Sequence, residues 1–162
     1  MVNGDLATKM LDLLDGMSTE DQQEALYMVE KMRRAPTSKV GFLANLFGMR
    51  WKIVERGHVR CELPVNRKFF NPSGVLHGGV VFTMVDYTMG VATVSLLDEA
   101  KGEHSTTIEV KINYLSASTS GRLLADTKVV SEGTRIVALE SRVTSDDGRM
   151  VALATGSYYI FR

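Results

Sequence analysis

At 162 residues, with 44% hydrophobic and 23% charged side chains, the chain has enough material for one domain with a sizeable core and an appendage. Nineteen Lys and Arg balance nineteen Asp and Glu, so composition carries no electrostatic footprint for nucleic acid or an anionic membrane. The single cysteine, Cys61, excludes an intrachain disulfide and any zinc cluster built on cysteines.

Leu6, Met10, Leu13 and Leu14 share one face of a helix predicted over residues 5–15, and Gly16 suits its C-terminal end. Ser18 or Thr19 can cap a second helix, with Asp21 or Gln22 as the reciprocal partner, and Ala25, Leu26, Met28, Val29 and Met32 continue its apolar stripe. Pro36 follows its basic end, Lys31 to Arg34. Up to Pro36 there are seven acids (Asp5, Asp12, Asp15, Glu20, Asp21, Glu24, Glu30) against four bases (Lys9, Lys31, Arg33, Arg34), the wrong sign for a phosphate-binding module. Acids interrupt the apolar residues and no basic lead-in precedes them, so no signal peptide is read and the cytoplasm is the expected compartment. Residues 1–36 read as a helical extension that covers apolar surface on its own chain or a partner, or caps a site entrance. Residues 37–162 read as the main domain.

From Ser38 the pattern changes. Val40, Phe42, Leu43, Leu46 and Phe47 predict a short helix ended by Gly48. Residues 49–55 and 58–65 read as strands joined at Arg56-Gly57, the second with Val59, Cys61, Leu63 and Val65 on one face. Cys61 is therefore a small buried hydrophobe rather than a nucleophile, and His58, in the turn region, a solvated loop side chain. After a polar connection at residues 99–103, Ile108, Val110, Ile112 and Tyr114 alternate with Thr107, Glu109, Lys111 and Asn113. Residues 122–130, 135–144 and 150–161 follow as strands, separated by Ser131-Glu132-Gly133 and Asp146-Asp147-Gly148, and read as an antiparallel meander.

Residues 71–97, NPSGVLHGGVVFTMVDYTMGVATVSLL, stand apart. Turn chemistry at Asn71-Pro72 and Gly74 leads through His77-Gly78-Gly79 into a long apolar run whose only charge is Asp86. The run shows no two-fold alternation and is apolar on nearly every face, which predicts a buried helix, and its internal Asp, Thr and Ser residues argue against a membrane span. Several strands around one buried helix make an α+β pattern. At the start of that helix the glycine N–H groups lack intrahelical acceptors and no Cβ keeps a ligand away, so they form a ready oxyanion site helped by the helix dipole. His77 and Asp86 lie nine residues apart. That is about 900° of rotation and about 13 Å of rise, so one helix cannot bring both to one reacting atom. Either Asp86 is unrelated to His77, or a second copy in a two-fold dimer supplies it.

Asn71, the His77-Gly78-Gly79 triplet and Asp86 at this spacing resemble the hotdog-fold acyl-CoA thioesterases of the phenylacetate-pathway (PaaI) type, over about residues 39–162. The resemblance implies a hotdog fold, in which an antiparallel β-sheet wraps a long central helix, and a homodimer that can pair again into a tetramer. It also implies hydrolysis of acyl-CoA thioesters: the Gly78 N–H polarises the carbonyl, Asp86 of the partner subunit activates water or attacks the carbonyl, and Asn71 and His77 help to place water and sulfur. Thr107 matches a position where relatives carry Ser or Thr near the attacking water. The alternation puts it on the polar face, which serves the site only if that face meets the dimer seam or a bulge intervenes. Thr83 and Gly90 leave room beside the carboxylate. Gly79, Phe82, Thr83 and Met89 are candidates for substrate binding. Phe82, Met84, Tyr87 and Met89 are also candidates to line an acyl pocket, but each of these four reads more readily as core. No P-loop, dinucleotide fingerprint or metal-ligand spacing is present, so no cofactor or metal is expected. Two other functions stay open: a hotdog dehydratase or hydratase acting on acyl thioesters, and a non-catalytic acyl-CoA sensor.

Overall fold

The computed structural model describes residues 4–34 and 41–162, so Pro36, Ser38 and Val40, named above, lie outside the described residues. The chain divides into two compact units, Met1–Phe42 and Leu43–Arg162. The first holds α1 (Gly4–Leu14) and α2 (Thr19–Arg34), with Gly16 between them at φ +78°. Ser18 caps α2 as expected: its Oγ accepts the Asp21 N–H at 3.1 Å and donates to the Asp21 carboxylate at 2.7 Å.

The second unit is built on one six-stranded antiparallel sheet, in the order β1-β2-β4-β5-β6-β3. Its strands are β1 (Arg50–Glu55), β2 (His58–Pro64), β3 (His104–Tyr114), β4 (Arg122–Glu132), β5 (Ile136–Ser145) and β6 (Met150–Phe161). A short helix, α3 (Phe42–Leu46), leads in, and Gly48 follows it at φ +70°. β4, β5 and β6 form the expected meander, but β3 does not join β4. It pairs with β6 at the far edge.

The central helix, α4 (Gly78–Val94), packs against one face of this sheet. Val59, Cys61 and Leu63 of β2, Leu123 and Ala125 of β4, Val137, Leu139 and Val143 of β5 and Ala154 and Ile160 of β6 turn toward it and are buried, together with Met84, Val85, Met89 and Ala92 of α4. Alternate residues of these four strands thus meet a helix that is apolar over most of its circumference, and each element covers the other's apolar surface. Among the described residues no helix is long and apolar enough to cross a membrane.

Three hydroxyls run through this core. Thr127 of β4 donates to Thr88 at 3.0 Å, and Thr88 donates to the Met84 carbonyl at 2.8 Å. Thr127 has spent its one proton, so Ser141 of β5, 2.7 Å away, is the donor to it. All three are fully buried and satisfied.

Two readings of single residues are corrected. His58 is buried, at 7% exposure, because the ring at the start of β2 turns onto β4, where Nε2 meets Asp126 Oδ1 at 2.6 Å. Ile108 is 52% exposed because the β3–β6 register shifts between Thr107 and Glu109, leaving Ile108 as the extra residue of a bulge.

Candidate active site

The loop before α4 is closed by Asn71. Its side-chain Oδ1 accepts the N–H groups of Ser73 at 3.0 Å and Val75 at 3.4 Å, while its own N–H reaches the Val75 carbonyl at 2.8 Å. Gly74 makes the reversal at φ +75°. The loop is tied down at its end: Leu76 N–H donates to the Ser118 carbonyl and His77 N–H to that of Phe69, each at 2.9 Å. With Oδ1 committed, Asn71 keeps only its amide N–H groups for a ligand.

His77 is the N-cap of α4, with φ −61° and ψ 131°, and its Nδ1 accepts the Gly79 N–H at 2.9 Å. That bond assigns the ring proton to Nε2. Gly79 is thereby engaged, and Val80 N–H bonds the His77 carbonyl at 2.9 Å. The Gly78 N–H is the donor of this turn left without a partner among the described residues. Tyr114, at the end of β3, donates to the Gly78 carbonyl at 2.9 Å, and its ring would lie 3.2 Å from any Cβ at position 78. Asn71, Gly78, Val81, Tyr114, Leu115 and Ser118 line a cleft of about 370 Å³.

Asp86 stands elsewhere, eight residues further along α4 on the side facing β3 and β6. Its Oδ1 accepts from Thr107 Oγ1 at 3.0 Å and from the Tyr158 hydroxyl at 2.6 Å. The bulge at Ile108 is what brings Thr107 here, since it turns Thr107 to the helix side, opposite Tyr158 in the ladder. Tyr158 was not foreseen, although a signal existed. It shares the core face of its strand with Ala154, Gly156 and Ile160, and a buried phenol needs a hydrogen-bond partner. Burial first, and the bond to Asp86 second, push its hydroxyl well above the usual tyrosine range.

The other candidates divide. Thr83 is half-buried and its hydroxyl bonds the Gly79 carbonyl at 2.9 Å, while Phe82 is 37% exposed. Met89 is corrected to a core residue: it has no exposed surface, and its sulfur would stand 2.7 Å from any Cβ at Gly156. Cys61 is buried and its thiol is pushed up to about 12 by that burial, so it is no nucleophile. Among the described residues no three His, Cys, Asp or Glu side chains are grouped to hold a metal.

A family model described as the thioesterase superfamily matches residues 73–152, the stretch from the His-Gly-Gly loop to β6. A protein of Saccharolobus solfataricus, provisionally named an esterase, is 34% identical over 118 residues, 73% of this chain and 77% of that one. The chain belongs to the thioesterase superfamily. Human acyl-coenzyme A thioesterase 13 is 31% identical to this thioesterase over 85 residues, 52% of this chain and 59% of that one. The BH2602 protein of Bacillus halodurans, solved with CoA, superposes with a TM-score of 0.80 at 26% identity, over 96% of this chain and 99% of that one. The PaaI protein of E. coli shares the fold of this thioesterase, with a TM-score of 0.69 at 18% identity over 84% and 94% of the two chains. The hotdog architecture and thioesterase membership expected from the Asn71, His-Gly-Gly and Asp86 pattern are both met.

Proposed function

We propose that this thioesterase hydrolyses acyl-CoA thioesters in the cytoplasm, in sites shared between two copies of residues 37–162. In each, the Gly78 N–H of one protomer faces Asp86 of the partner subunit. The observation that carries the reading is the separation of two open groups on one helix. Gly78 N–H and Asp86 Oδ2 both lack partners among the described residues, yet they stand eight residues apart, about 12 Å of helix rise. One chain cannot aim both at one carbonyl, whereas two antiparallel copies of α4 can. The CoA held by the Bacillus relative and the name of the human one support acyl-CoA as the substrate class.

In this mechanism the thioester carbonyl oxygen sits on the Gly78 N–H at the positive end of α4. Asp86 of the partner subunit takes a proton from water as the water oxygen bonds to the carbonyl carbon, and the C=O π pair collects on the oxygen facing Gly78. Return of that pair breaks the C–S bond. CoA leaves as a thiolate, a good leaving group, and the proton passes from the carboxyl to the sulfur. The Asn71 amide and His77 Nε2–H are the nearby donors for water and sulfur.

The test uses the full chain with a panel of acyl-CoAs and a thiol reagent that reads released CoA. Gly78→Pro and Asp86→Asn should each lose about 99% or more of turnover alone. When the two are co-expressed, random pairing leaves half the dimers mixed, each with one intact site, so about a quarter of wild-type turnover should return. A mass of two or four chains is expected. No recovery in proven mixed dimers, or full activity from a monomer, overturns the shared site.

A further inference from the structure

We propose that Tyr158 is a positioning residue that, together with Thr107, pins Oδ1 of Asp86 and so makes Oδ2 the oxygen that meets the water. The proposal rests on the reading of Asp86 given above. Oδ1 receives two hydroxyls, Thr107 Oγ1 at 3.0 Å and the Tyr158 phenol at 2.6 Å, and Oδ2 receives none among the described residues. The phenol also lies 2.6 Å from the Asp86 carbonyl, but it has one proton, and an ionised carboxylate is the stronger acceptor. The two donors stand opposite one another on neighbouring strands, Thr107 on β3 and Tyr158 on β6, and reach the same oxygen from the sheet side.

Each feature around Tyr158 serves this contact. The ring is 3% exposed, so water does not compete for its hydroxyl. Gly90, one helical turn beyond Asp86, admits the ring against α4, with 3.7 Å between the tyrosine and an ideal Cβ there. The phenol stays protonated, because burial and the adjacent carboxylate both disfavour its ionisation, and it therefore acts only as a donor. A carboxylate bonded through one oxygen cannot spin about its Cβ–Cγ bond without losing both bonds. Its other oxygen keeps a fixed line of approach, which a proton transfer to a positioned base requires. On this basis Thr107 holds the base and does not itself touch water.

The experiment compares Tyr158→Phe, Thr107→Val, Thr107→Ser and Asp86→Asn in the full-length protein, with kcat and KM measured on the best acyl-CoA substrate. Tyr158→Phe and Thr107→Val should each lower kcat by about ten- to a hundredfold with KM within about twofold, and Thr107→Ser should restore most of the loss. Thr107 is on an exposed stretch of strand, so its variants report even if Tyr158→Phe folds poorly. Wild-type kcat in both hydroxyl-deleted variants beside an inactive Asp86→Asn overturns the pinning while leaving Asp86 as the base, as does a loss confined to KM. An active Asp86→Asn removes the parent reading instead.

Discussion

The imidazole Nδ1 of His77 accepts the backbone N–H of Gly79 at 2.9 Å, and this one bond divides the labour of the two motif glycines. Gly79 is held by the cap, and the N–H of Gly78, one residue earlier, has no partner among the described residues. The division can be tested with an unusual substitution. Gly78 is the first helical residue, where proline is well tolerated, and His77 before it already has the extended ψ of 131° that a following proline demands. Gly78→Pro therefore deletes the donor while preserving the helix, at the cost of a slight shift of the half-exposed Tyr114 ring. Turnover should fall about 100- to 1,000-fold, the 2.7–4 kcal/mol of one oxyanion donor, with little change in thermal midpoint. Near-normal turnover in the folded variant would strip Gly78 of the role.

Gly156 leaves no room for a side chain between β6, α4 and β3. A Cβ there would lie 2.7 Å from the Met89 sulfur and 2.9 Å from the Glu109 carbonyl oxygen. The methionine could swing aside, but the carbonyl belongs to the ladder of β3 and cannot. Gly156→Ala should destabilise the fold by about 1–3 kcal/mol and lower the thermal midpoint by several degrees in calorimetry. An unchanged midpoint would mean that β3 and β6 can part at this position without cost.

Acid should act on the opposite face of the sheet. Burial pushes the Asp126 carboxyl upward, but hydrogen bonds from His58 and Arg60 outweigh it and hold the group below the usual aspartate range. A folded-state value below the unfolded one, near 3.9, stabilises the protein above about pH 4 and is lost as pH falls through the lower value. The side chain is 39% exposed, so solvent screening limits the effect to about 1 kcal/mol or less. Asp126→Asn should be less stable than wild type at pH 7 by that amount, and the gap should close in denaturant titrations below about pH 4. A gap that persists to pH 2 would assign the loss to packing rather than charge.

What could be read in advance was what local chemistry dictates. The length and placement of α4, the glycines at its mouth, its lone acid and the turns of the meander follow from spacing and residue type, and the structure keeps them. What was hidden depended on a distant strand. Alternation alone sets Thr107 beside Glu109 and Lys111, facing away from the helix. The bulge at Ile108, which reverses this, exists only because β3 pairs with β6, some fifty residues later in the chain. His58 looked like a turn residue because its partner Asp126 is 68 residues away. Met89 carries the same apolar signal whether it lines a pocket or fills the core, and only its neighbour Gly156 decides between them.

The chain of hydroxyls from Ser141 through Thr127 to Thr88 works as an index mark. A helix coated in aliphatic side chains could slide along a sheet with little penalty, since one apolar contact resembles the next. If α4 advanced by a single residue, Thr88 would leave Thr127 and buried hydroxyls would lose their bonds, at about 1–3 kcal/mol for each group left unsatisfied. The sheet thus reads the axial position of the helix at one notch, two residues beyond Asp86, so the carboxylate keeps its height against β3 and β6 however the surrounding apolar packing drifts.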